Sequence, residues 1–102
     1  MQLIATFRVR PGHRDVVRAL LADYADVVRA DAGTQLFEPG TVADRPDDFV
    51  VFERYRDEAA FRAHLGAPEN GVFNAALADH LDGDVRLQFI DPLGATGSGR
   101  GL

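Results

Sequence analysis

The chain reads as one strand–helix–strand unit written twice, and this repetition constrains the fold more than any other feature of the sequence. Residues 2–9 alternate, with Leu3, Ala5, Phe7 and Val9 on one side, which is the two-residue period of a strand. Pro11-Gly12 breaks that run. A helix is predicted over 13–31, because Val16, Val17, Leu20, Leu21, Tyr24, Val27 and Val28 recur at three- and four-residue spacing. Ala32-Gly33 supplies a small-residue stop. A weaker strand follows over 34–43, where Pro39-Gly40 predicts an edge position with a bulge. Residues 44–48 read as a turn cluster.

The second half opens on Phe49-Val-Val-Phe-Glu-Arg-Tyr55, the most strand-like segment of the chain. Asp57 is suited to cap a helix over 58–65 whose inner stripe is Ala60, Phe61, His64 and Leu65. Gly66-Ala-Pro68 interrupts it, a second helical piece is predicted over 72–81, and a last strand over 84–91. Residues 93–102 carry Gly94, Gly97, Gly99 and Gly101 and are expected to form a flexible tail, leaving one domain over 1–92. The order β-α-β-β-α-β is the ferredoxin-like split pattern, an α+β fold with a four-stranded antiparallel sheet and two helices on one face. A sheet covered on one face should alternate apolar with polar residues, yet Phe49, Val50, Val51 and Phe52 are all apolar. The expectation is that a second copy covers the other face, sheet against sheet, in a twofold dimer with room for a small ligand.

The residue types that are missing narrow the chemistry. The chain has no Cys and no Trp, all eleven basic residues are Arg, and Ser98 is the only serine. Disulfides, thiolate nucleophiles, Cys-ligated metals, Lys Schiff bases and a phosphate-binding Gly-Lys-Ser/Thr loop are thereby excluded. The net charge of −5, spread over twelve Asp and four Glu, argues against a nucleic-acid partner. No unbroken apolar run exceeds four residues, too short for a membrane span or a signal segment, and a cytoplasmic location is expected.

Among the remaining polar groups His64 is the foremost candidate, since it sits on the inner helix stripe and a neutral imidazole is a base near pH 7. The plain alternative is a core histidine bonded to a carbonyl or to Glu53. Glu53 follows four apolar residues in its strand, so it either orients His64, acts as a base with a raised pKa, or pins strand to helix. His13, read as exposed, and His80, at a helix end, are weaker candidates. The three histidines show no ligand spacing, and no metal site is expected. Arg8, Arg54 and Arg86 could each turn a guanidinium into a cavity or simply flank a strand in solvent. Tyr24 reads as core with a wet tip, and Tyr55 as a pocket residue.

The segment from Phe49 to Leu65 resembles the antibiotic biosynthesis monooxygenase family. The family's pattern is an apolar strand, a Glu, an aromatic residue two later, a short acidic turn, then Ala-Phe-x-x-His on a helix. Glu53, Tyr55, Asp57, Ala60, Phe61 and His64 match it in order and spacing. The resemblance implies a dimeric α+β barrel and a cofactor-independent oxidation of a phenol- or quinol-like aromatic by O₂. It implies His64 and Glu53 as catalytic residues, with Phe7, Tyr55, Phe61, Phe73 and Arg86 against the substrate. A non-catalytic ligand-binding dimer and a proton-transfer isomerase stand as alternatives. Relatives that degrade haem use an Asn, a Trp and an axial His, where this chain has Phe7, His64 and Leu77, so that activity is not expected. Many members also carry a His just after the small-Pro break, where this chain has Glu69-Asn70.

Overall fold

The computed structural model describes residues 1–93. Strand β1 (Gln2–Arg8) leads into helix α1 (Arg14–Arg29), then β2 (Thr34–Val42) and β3 (Arg45–Tyr55), α2 (Glu58–Gly66), α3 (Pro68–Ala78) and β4 (Arg86–Ile90). The four strands form one antiparallel sheet in the order β2-β3-β1-β4. This is the ferredoxin-like α+β arrangement, with its second helical part built as two helices.

Alternation decides which side chains each strand buries. Leu3, Ala5 and Phe7 of β1 stand opposite Glu53, Val51 and Phe49 of β3, and all six are buried. The inner stripe of α1 (Val17, Leu21, Tyr24, Ala25 and Val28) is buried on this face, in one cluster with Phe37 of β2 and Leu77 of α3. Phe61 of α2 packs on Leu3 and Tyr55 in a second cluster. All three helices therefore cover the same face of the sheet. On the other face Val50 is half-buried, and Phe52 remains 45% exposed. Within one chain, the four-residue apolar run is thus buried on one side only.

Several local expectations are corrected. Helix α3 begins at Pro68, not residue 72, because Ala67 ends α2 with an extended backbone (ψ 138°) and Pro68 takes the first helical position. Proline disfavours the helical conformation in the residue before it and suits the first turn itself. The turn cluster 44–48 shrinks to a tight hairpin, since Arg45 already belongs to β3. Asp48 is held there by Arg8 (2.7 Å) and Asp47 by Arg14 (3.1 Å), partners distant in sequence. Strand β2 is an edge strand as expected, but Pro39-Gly40 pairs in register with Val51 and Val50. The irregularities lie at Thr34/Leu36 and Thr41/Val42 instead. His13 is half-buried against His80, their Nδ1 atoms 2.9 Å apart. The tail expected over 93–102 lies, exposed Leu93 apart, outside the described residues.

Gly33 does more than end a helix. A Cβ at this buried position would stand 2.8 Å from the Ala60 Cβ of α2. The backbone is also pinned there, because Gly33 N donates to Asp31 Oδ1 and Arg56 N donates to the Gly33 carbonyl. Gly33→Ala is expected to lower stability by about 1–3 kcal/mol through overpacking, read as a lower denaturant midpoint at unchanged slope. A midpoint equal to wild type would show that α2 yields without cost.

Candidate active site

The helices leave a cavity of about 270 Å³ between themselves and the sheet. Phe7, Val51, Phe37, Phe61, Phe73 and Leu21 form much of its apolar wall, and the partly exposed Leu65, Val85 and Leu87 stand at its outer side. The polar groups on its lining are Glu53, His64, Tyr24, Asn70 and Asn74. They come from β3, α2, α1 and α3, so the site exists only once the chain has folded.

Glu53 reaches this face because it shares the parity of Val51 and Tyr55 on β3. It lies opposite Leu3 on one side and Phe37 on the other and is 7% exposed. Removal from water pushes its carboxyl pKa up, partly offset by a hydrogen bond that Tyr55 Oη donates to Oε1 at 2.6 Å. That bond takes one carboxylate oxygen. Among the described residues the other has no partner and is not sealed from solvent, and with Glu53 on the cavity wall it is available to a ligand. Burial, then the bond to Glu53, drives the Tyr55 pKa far upward, so this phenol stays protonated. Tyr55 does not line the cavity itself; it supports Glu53 from behind.

His64 lies one turn after Phe61 on α2, on the same side of the helix. Its ring centroid is 5.0 Å from that of Tyr55, 6.2 Å from Tyr24, 6.3 Å from Phe61 and 6.4 Å from Phe37. Burial among these rings lowers the imidazole pKa, opposed by the negative charge of Asp31. The ring is thus neutral near pH 7. Its nitrogens form no hydrogen bond among the described residues, and neither is sealed from solvent. The expected Glu53–His64 bond does not form. Strand neighbours two apart share a face, so Glu53 meets Tyr55 instead.

Of the expected contact residues, Phe7, Phe61 and Phe73 line the cavity together with His64 and Glu53. Arg86 does not join them. It pairs with Thr6 in register, on the opposite face of the sheet, where it lines a recess with Arg8, Arg45 and Asp48. Arg8 is engaged by Asp48 and Arg54 is exposed, so among the described residues no guanidinium lines the cavity. A helix begun at residue 72 leaves Asn70 in a break and hides its pairing with Asn74, whereas α3 starts at Pro68. Their four-residue spacing after Pro68, a favourable helix start, was the available signal.

Comparisons with known proteins agree with this fold. The family model described as antibiotic biosynthesis monooxygenase matches residues 1–84. A Mycobacterium tuberculosis protein, Rv0793, provisionally named a monooxygenase, is 33% identical over 91 residues, covering 89% of each chain. Its solved structure superposes with a TM-score of 0.86 at 31% identity, covering 94% of this chain and 97% of that one. PA3566 from Pseudomonas aeruginosa gives a TM-score of 0.83 at 25% identity, with 91% and 93% covered. A structure from Nitrosomonas europaea shares the fold at a TM-score of 0.87 and 19% identity, with 94% and 92% covered. With its fold, its Glu53–His64 segment and most of its length matched, the chain belongs to the antibiotic biosynthesis monooxygenase family.

Proposed function

We propose that the protein is a monooxygenase that oxidises a small phenol- or quinol-like aromatic with O₂. The observation that carries this reading is the pairing of an apolar cavity with two proton acceptors on its wall, a neutral imidazole and a buried carboxylate. The size of the cavity supports a small substrate. An enclosed apolar space of about 150 Å³ accepts benzene, so 270 Å³ suits a compound of one or two rings.

The chemistry needs little from the protein beyond proton transfer and exclusion of water. His64 takes the phenol proton. The electron-rich phenolate then passes electrons to O₂, and a peroxide forms on a hydrogen-bearing ring carbon ortho or para to the oxygen and takes that proton back. Glu53 removes the C–H proton from the same carbon, the O–O bond breaks, and the departing hydroxide leaves as water with the proton from Glu53. One oxygen atom becomes the second quinone carbonyl and the other becomes water, so atoms and electrons balance with O₂ as the only oxidant.

O₂ consumption across a panel of hydroquinones, naphthols and anthrones tests the proposal. Uptake matched by quinone formation is the expected result. Saturable binding without uptake would favour a ligand-binding module, and substrate rearrangement without uptake an isomerase.

The active form on this reading is a homodimer joined through the uncovered sheet face. Ile4, Val50 and Phe52 lie there, with Phe52 45% exposed and Ile90 36% exposed. Phe52→Arg is expected to turn a dimer into a monomer by sedimentation equilibrium. An unchanged mass would place the interface elsewhere.

A further inference from the structure

One backbone carbonyl fixes the direction of a chain of hydrogen bonds at the α3 side of the cavity. The main-chain oxygen of Asn70 can only accept, and Asn74 Nδ2 donates to it at 2.9 Å. The same Nδ2 lies 3.1 Å from the side-chain oxygen of Asn70, which makes that atom Oδ1 and turns the Asn70 amide nitrogen the other way. Asn70 Nδ2 then donates to Tyr24 Oη at 2.9 Å. Tyr24 is thus an acceptor in this bond and retains its own proton. Among the described residues no acceptor takes that proton.

The phenol is also held in place. Tyr24 is 8% exposed, its ring stacked on Phe73 with centroids 4.1 Å apart and set edge-on to Phe37 at 5.8 Å. Burial raises its pKa, with Asn70 opposing, so the hydroxyl remains a donor. Beside the acceptor oxygen of Glu53 it offers a ligand oxygen an uncharged donor that packing and the Asn70 bond hold in place, and among the described residues no guanidinium lines the cavity.

We propose that Tyr24, oriented by Asn70 and Asn74, donates a hydrogen bond to a carbonyl or phenolate oxygen of the bound aromatic. The cavity therefore selects uncharged ring compounds that carry an acceptor oxygen over their plain hydrocarbons. The proposal rests on the reading of this cavity as the substrate site, but its test is binding without turnover, so the two can fail separately.

The probes are methyl naphthyl ketone, which offers only an acceptor, and naphthalene, which offers none. Each is titrated against the full chain. The absence of Trp leaves the naphthyl emission free of that background. The wild type is expected to bind the ketone more tightly than naphthalene. Tyr24→Phe keeps the ring stack and is expected to lower ketone affinity by about 3- to 10-fold with naphthalene affinity unchanged. Asn70→Asp supplies an acceptor that captures the Tyr24 proton and should reduce the ketone-to-naphthalene ratio similarly, in a protein whose circular dichroism is unaltered. His64→Ala, which removes the imidazole N–H from the wall, should lower that ratio less than Tyr24→Phe does. A ratio insensitive to Tyr24→Phe, an equal loss of both probes, a ratio that depends on His64 alone, or no binding of either probe by the wild type would overturn the proposal.

Discussion

His64→Ala is expected to lower kcat/KM for O₂-coupled oxidation by about 10²-fold or more, the range for removal of a positioned general base. The fold should survive, since the ring is half-buried and makes no hydrogen bond among the described residues. The pH profile adds a second readout. Burial lowers the pKa of His64, so its neutral form is present above that value and is lost as pH falls through it. The acid limb of kcat/KM should therefore lie below the ordinary histidine value of about 6.5 and disappear in the variant. Equal turnover in both proteins would remove His64 from the mechanism.

Glu53→Gln should separate function from stability. The amide preserves the shape and can still accept the Tyr55 hydrogen bond, but it cannot take a ring C–H proton, so turnover is expected to fall by about 10²-fold. Stability should move the other way. A carboxyl whose folded pKa is raised binds more protons in the native state, so stability falls as pH rises from the unfolded value through the folded one. Above that window the native protein carries a buried charge with a single hydrogen bond. The variant lacks this cost and should be more stable than wild type at pH 7.5 and closer to it at pH 4, as measured by denaturant midpoints. A variant that is both active and less stable would make Glu53 a structural pin for β3.

The elements that the sequence revealed most clearly are those whose signal is local. The α1 stripe and the 49–55 strand were legible because apolar spacing at three to four residues, or at two, directly reports the buried side. The buried stripe is narrower than the apolar spacing implies, since Val16 is 44% and Val27 47% exposed. Residues 45–48 carry turn chemistry in their Arg-Pro-Asp-Asp run, and only backbone pairing with the neighbouring strands makes them a strand start. His64 and Glu53 were identifiable as polar groups in apolar settings, and their nearness to one cavity followed from the family pattern. The partner of Glu53 was not identifiable, because periodicity names the face of a residue and not the atom it meets.

The sequence by itself determined the β-α-β-β-α-β order, the helix-covered face of the sheet, the poverty of nucleophiles and the family. Each of these follows from residue type and from spacing along a single segment. Only the tertiary structure decided which polar groups meet. Arg86 leaves the cavity because it lies opposite Thr6, while its neighbour Leu87 lies opposite Ala5 on the helix side. One residue of strand register reverses the face of every side chain, and register is set by pairing across the sheet. The Tyr55–Glu53 bond depends on how deeply one strand is buried. The Asn74–Asn70–Tyr24 chain needs α3 docked on α1, a contact between residues 46 positions apart that no local pattern encodes.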